Sequence, residues 1–227
     1  MDAPAAQPVT IAINDTQSVS GLLHAPREAR AAYVLAHGAG AGMAHPFMAA
    51  IAQGLAERNI ASLRYQFPYM ERGSRRPDAP AVAHAAVRAA VAHAAAAWPT
   101  LPLFAGGKSF GGRMTSQAQA ASPLPGVRGL VFLGFPLHPA GEPSSQRGEH
   151  LAQVRCPMLF LQGTRDELAD LPLVRALAED LGDRATLHLV ADADHSFHVP
   201  ARSGRNDAAV RQEMLDRVAE WISRVPA

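Results

Sequence analysis

The sequence predicts an α/β fold: a mostly parallel sheet of about eight strands, with helices on both faces and no lid domain. Three observations carry this. Apolar runs of strand length alternate with segments whose apolar residues recur every three or four positions, over most of the 227 residues. Several runs, such as "AAYVLAHG", "LPLFAG", "VRGLVFLGF" and "CPMLFLQG", are apolar throughout, as strands covered on both faces must be. The longest irregular stretch, 135–150, is rich in Pro, Gly and Ser and too short to form a lid domain. A single domain, 1–227, is the expected organisation.

Taken in order, "VTIAIN" and "VSGLLHA" are two β-like stretches expected to pair antiparallel. "AAYVLAHG" stops at Gly38. "HPFMAAIAQGLAERN" places Phe47, Ile51 and Leu55 four residues apart, which marks a helix with one buried face. "IASLRYQF" is a strand ended by Pro68, and a loop spans 70–80. An Ala-rich helix covers 81–97. "LPLFAG" is the next strand, and "SFGGRMTSQAQAA" the helix after it. "VRGLVFLGF" and "CPMLFLQG" are two further buried strands. A helix over 170–181, with Leu173, Leu177 and Leu181, stops at Gly182. "ATLHLVA" is the last strand, and a helix over 207–224 repeats Val210, Met214, Val218 and Trp221/Ile222.

Composition excludes several function classes. With 48% hydrophobic and 18% charged residues the chain can bury a large core and does not read as disordered. A net charge of +1 shows no basic excess, so neither a nucleic-acid nor an acidic-membrane partner is expected. The cluster Arg72, Arg75, Arg76 reads as a solvated loop. Cys156 is the single cysteine, which excludes an internal disulfide and a Cys-based metal site; it reads as a small buried residue. "MDAPAAQPVT" has no basic start and no apolar core, so no signal peptide is visible. The Ala-rich helix is interrupted by His84, Arg88 and His93 and does not read as a membrane span. A cytoplasmic protein is the expectation.

The stretch "LPLFAGGKSFGGR" has two readings. GKS ends a phosphate-binding loop, G-x-x-x-x-G-K-[ST], but that loop needs a glycine at 102, where the chain has Pro102. G-K-S-F-G also spells G-x-S-x-G, and here its structural condition is met: a strand, a Gly-rich turn at Ser109, then a helix. In such an elbow the serine backbone is strained and only residues without bulk fit two positions either side, at Gly107 and Gly111. Ser109 then stands at a helix N-terminus, whose dipole favours negative charge.

A serine hydroxyl needs a base. In this architecture the chain order is Ser, acid, His. His195 lies on the loop after the last strand, in "LVADADHSFHV", with His198 as the neighbouring alternative. His188 lies inside the strand, His84 and His93 on the Ala-rich helix, and His24, His138 and His150 carry no motif. The acid is expected after the preceding strand: Asp166 in "MLFLQGTRDEL", with Glu167 as the alternative. Its role is to orient and stabilise the imidazole. Developing negative charge needs preset N–H donors. Phe110, the residue after the nucleophile, is one. The Gly-rich loop "AHGAGAGM" supplies the other, assigned to Ala39 with Gly40 next. The loop "YQFPYM" reads as packing, with one wall of a site as the alternative. Lys108 and Arg113 flank the elbow and read as solvated, with contact to an acidic substrate as the alternative.

"AHGAGAGMAHPFM", "RYQFPYMERG", "GGKSFGGRM", "LQGTRDELAD" and "DHSFHVP" together resemble the α/β-hydrolase superfamily over nearly the whole chain. They look like its small, lidless, dienelactone-hydrolase-like branch, which includes relatives of a subunit of a chromatin acetyltransferase complex. The resemblance implies the α/β-hydrolase fold with an eight-stranded sheet, and Ser109, Asp166 and His195 as a triad. It implies no cofactor. It says little about substrate, and dienelactone hydrolases proper carry a cysteine where this chain has Ser109. The expected function is cleavage of a small ester or related acyl bond through an acyl-enzyme. A hydrolase-fold scaffold that binds a protein partner is the reading from another class.

Overall fold

The structure is a computed structural model and describes residues 5–226. Its strands are β1 (Gln7–Asn14), β2 (Gln17–His24), β3 (Ala31–Ala36), β4 (Ile60–Tyr65), β5 (Leu103–Lys108), β6 (Val127–Leu133), β7 (Met158–Gly163) and β8 (Ala185–Val190). The helices are α1 (Pro46–Ala56), α2 (Pro68–Glu71), α3 (Pro80–Ala97), α4 (Phe110–Ala121), α5 (Leu171–Leu181) and α6 (Asp207–Arg224). The strands form one sheet in the order β1-β2-β4-β3-β5-β6-β7-β8. β2 pairs antiparallel with both β1 and β4, and every later pairing is parallel.

β3 shows why the central strands are apolar throughout. Ala32, Val34 and Ala36 point into one core layer, and Ala31, Tyr33 and Leu35 into the other. The two-residue period of a strand delivers side chains to both faces, and helices cover both. The first layer packs under α3, α4 and α5, through residues such as Val87, Met114 and Val174. The second packs under α1 and α6, through Ile51, Leu55, Val210, Met214 and Val218. α3 lays Ala83, Ala86, Val87, Ala90, Val91 and Ala94 on the sheet, a stripe at helical spacing that brings its backbone close.

Helix boundaries follow local chemistry. Asp170 Oδ1 accepts from the Leu173 N–H and opens α5; Asn206 Oδ1 accepts from the Ala209 N–H and opens α6. Two segments expected to be irregular hold short helices. The loop expected over 70–80 begins inside α2, where Pro68 pre-sets the first turn. The 135–150 stretch runs into a 3-10 helix over Gln146–Gln153. Among the described residues no lid domain interrupts the sheet, and no helix is long and apolar enough to cross a membrane.

β3, β5, β6 and β7 run parallel, so the loops that follow them gather along one edge of the sheet. The loop after β8 joins them. Ala39, Ser109, Phe110, Asp166 and His195 all lie at these strand ends.

Candidate active site

At Ser109 the chain turns from β5 into α4 with φ 50° and ψ −116°, a conformation unusual for a residue with a side chain. The turn requires close backbone approach on both sides. A Cβ at Gly107 would sit 2.1 Å from the Ala36 carbonyl oxygen, and one at Gly111 2.6 Å from the same atom. Both glycines expected from the motif are therefore needed, because the end of β3 occupies the space. Gly106 is a third, which the motif does not mark: its φ is 147°, and a Cβ there would lie 1.9 Å from the Val131 carbonyl oxygen.

The Ser109 hydroxyl lies 2.8 Å from His195 Nε2, and His195 Nδ1 lies 2.7 Å from Asp166 Oδ2. Three loops, after β5, β7 and β8, bring these atoms into one row. Asp166 is buried and held from several directions. Its Oδ1 accepts from the Leu168 N–H at 2.8 Å, and its Oδ2 accepts from Gln162 Nε2 at 2.5 Å as well as from His195. An acceptor on the Nδ1 side selects the tautomer that carries its proton there, leaving Nε2 free to accept from Ser109. Such a row can remove a hydroxyl proton as the oxygen attacks.

The alternatives named from sequence lie elsewhere. His198 is exposed; its Nδ1 pairs with Asp207 at 2.9 Å, and that carboxylate raises its pKa. Glu167 is exposed. Asp194, beside His195, shapes the loop: its Oδ1 accepts from the N–H groups of Ser196 and His198. His188 bonds Glu213, His84 bonds Gln117, and His150 bonds Ser116. His138 accepts from the Asp170 N–H and ties the 135–145 segment to the start of α5. Burial pushes the Cys156 thiol up to about 11, which makes it a poor nucleophile.

Phe110 opens α4, and the first N–H groups of a helix have no intrahelical acceptor. In the loop after β3 the two candidate donors separate. The Gly40 N–H donates to Tyr69 Oη at 3.1 Å, whereas among the described residues nothing accepts from the Ala39 N–H. The loop is tied at several points. Gln66 Oε1 accepts from the Met43 N–H, and Arg64 donates to the Met43 carbonyl. His37, buried beneath it, accepts from the Phe67 N–H at Nε2 and donates from Nδ1 to the Gly38 carbonyl. Burial pushes its pKa down to about 4, so it stays neutral.

The "YQFPYM" residues pack rather than line an opening. Tyr65, Phe67 and Tyr69 are buried, and Phe110 stacks edge-on against Phe67 and Tyr69. Lys108 departs from the solvated reading. Its side chain turns in behind the base and donates to the His195 carbonyl at 2.7 Å. Arg113 is half-buried near Arg147, whose charge, after burial, lowers its pKa. Cavities of about 360 and 490 Å³ lie at the β8–α6 edge and within the 137–147 loop; neither is lined by Ser109 or His195. Ser109 is partly exposed, and the His195 side chain is 23% exposed.

Sequence reasoning missed Gln162, His37, the bond of Tyr69 to the Gly40 N–H and the inward turn of Lys108. Gln162 left a signal: it is the polar residue in the otherwise apolar "MLFLQG". A buried polar side chain in such a strand needs partners, and its neighbours are where those partners converge.

A family model described as an alpha/beta hydrolase domain matches residues 29–223. Among solved structures the chain is similar to a lidless α/β serine hydrolase from Xanthomonas campestris, with 22% identity, TM-score 0.74, and coverage of 98% of this chain and 96% of that one. It is also similar to a dienelactone hydrolase from Anabaena variabilis, with 21% identity, TM-score 0.77, and coverage of 99% and 100%. An esterase domain from a Rhodothermus marinus protein gives 16% identity and TM-score 0.74 over 97% and 99%. At these identities the likeness is one of fold.

Proposed function

The chain belongs to the alpha/beta hydrolase domain family, and we propose that within it the chain is a serine hydrolase that cleaves small esters or related acyl bonds. One observation carries this reading: the continuous hydrogen-bonded row Ser109–His195–Asp166, at 2.8 and 2.7 Å, with the serine on a strained turn at a helix N-terminus. Ser109 is the nucleophile, His195 the base and then the acid, and Asp166 the group that orients it.

In the first step Ser109 Oγ attacks the acyl carbonyl carbon while its proton passes to His195 Nε2. The N–H groups of Ala39 and Phe110 hold the oxyanion. The tetrahedral intermediate collapses, the bond to the leaving oxygen breaks, and His195 returns the proton to that oxygen. Water then attacks the acyl-enzyme, with His195 taking its proton, and the acid leaves as Ser109 is restored. A partly exposed Ser109, with no lid domain among the described residues, suits small or extended soluble molecules better than long lipids.

A fluorophosphonate probe tests the reading. Wild-type protein is expected to be labelled and Ser109→Ala is not. Absence of labelling in well-folded wild type would overturn the nucleophile assignment. A panel of short p-nitrophenyl esters, thioesters and lactones then defines the acyl and leaving groups.

A further inference from the structure

Lys108 is the residue immediately before the nucleophile, yet its side chain leaves the nucleophile and crosses to the loop that carries the base. Nζ donates to the His195 backbone carbonyl at 2.7 Å. It also stands 5.6 Å from the centroid of the Phe197 ring, two residues further along the same loop, at cation–π distance. Position 134, which the ammonium passes closely, is glycine. A Cβ there would lie 3.1 Å from Lys108 Nζ and 3.4 Å from the His195 carbonyl oxygen. The same point is 3.6 Å from His195 Cε1, so ammonium and imidazole ring are less than 7 Å apart.

The charged groups acting on this ammonium are Asp166, on the loop after β7, and Asp194, on the loop after β8; the His195 imidazole is the titratable ring beside it. Burial lowers its pKa to about 8, and the two carboxylates act against that. The ammonium form therefore predominates at neutral pH. A surface lysine needs none of these contacts, and ordering a long side chain costs rotamer freedom. Here the rigid strand that carries the nucleophile reaches directly to the backbone of the residue that must serve it.

Resting on the triad reading above, we propose that Lys108 is a positioning residue for the base. It anchors the His195 carbonyl to the end of β5, so that Ser109 and His195 keep their distance, and at neutral pH and below it sets a positive charge beside the imidazole. A displacement of about 1 Å at a reacting pair costs on the order of a hundredfold in rate. A positive charge beside the ring disfavours its protonated form.

The test compares wild type with Lys108→Met, which removes donor and charge, and Lys108→Gln, which keeps an N–H donor without the charge. p-Nitrophenyl acetate turnover is followed from pH 5 to 9, with fluorophosphonate labelling in parallel. Lys108→Met is expected to lower kcat about 30- to 100-fold with KM within about twofold. The acid limb of its kcat/KM profile moves up by about half a pH unit. Lys108→Gln is expected to recover about tenfold of the kcat loss, with the limb displaced as in Lys108→Met. A kcat within twofold of wild type in Lys108→Met, or a loss confined to KM, overturns the proposal. Should Lys108→Met fail to fold, an undisplaced acid limb in Lys108→Gln overturns it. Wild-type protein that neither labels nor turns over would instead remove the triad reading on which this rests.

Discussion

Gln162 Nε2 donates to Asp166 Oδ2 at 2.5 Å, and Gln162 Oε1 accepts from the Phe135 N–H at 2.9 Å. One side chain inside β7 thus fixes the carboxylate beneath His195 and satisfies the chain leaving β6. Gln162→Leu is expected to lower kcat about tenfold or more, because Asp166 loses a fixed partner. It also strands the buried Phe135 N–H, at about 1–3 kcal/mol of stability. Ester kinetics and urea denaturation on the same variant check both. Wild-type values in the two measurements would show that Gln162 only fills space.

His195→Ala is expected to lower ester turnover by several orders of magnitude, whereas His198→Ala stays close to wild type. The two residues lie on one loop, but His198 is held by Asp207 at the surface. A panel of the two variants on p-nitrophenyl acetate decides. Loss of activity in His198→Ala with His195→Ala intact would reverse the assignment.

Gly106→Ala is expected to destabilise the fold by at least about 3 kcal/mol. Its Cβ would meet the Val131 carbonyl oxygen at 1.9 Å, and φ 147° is strained for any side chain. Backbone cannot yield there as a side-chain tip does, because β5 and β6 pair through this register. Thermal melting monitored by circular dichroism gives the answer, and an unchanged Tm would contradict it.

Acid is expected to weaken the fold between pH 6.5 and 4. His37 and His150 each have a folded-state pKa pushed down to about 4 by burial, from an ordinary value of 6.5. In that window the unfolded chain binds protons that the folded chain refuses, so stability rises with pH and is lost as pH falls. Melting temperatures from pH 4 to 7 test this, and His37→Asn should flatten the slope. A slope that is flat in wild type rules the linkage out.

Much of the fold was legible because its signals are local. Strands such as "AAYVLA" are apolar at every position, which buried parallel strands require. Gly182 ends α5 with a positive φ, and α6 spans the 207–224 expected from its apolar repeat. The Ser109 turn was legible for the same reason, since glycines flank one serine between a strand and a helix. His195 and Asp166 required one added rule, the order of strand-end loops. The aromatic residues of "YQFPYM" were ambiguous because a wall and a core layer call for the same residue types; burial of Tyr65 and Phe67 at 0% exposure decides for the core.

The sequence by itself determined the element order, the strained serine turn, and which strand-end loops hold the candidate His195 and Asp166, because these depend on residue type and spacing along the chain. Only the tertiary structure shows that the Gly40 N–H is taken while the Ala39 N–H is not, that His195 rather than His198 meets Ser109, and that Lys108 turns inward. Those choices turn on partners far away in sequence. Tyr69 occupies the Gly40 N–H, Asp207 takes His198, and the carbonyl of His195, 87 residues on, receives the Lys108 ammonium. A hydrogen bond is a relation of distance and direction in space, and spacing along the chain carries neither until the sheet has brought its strand ends together.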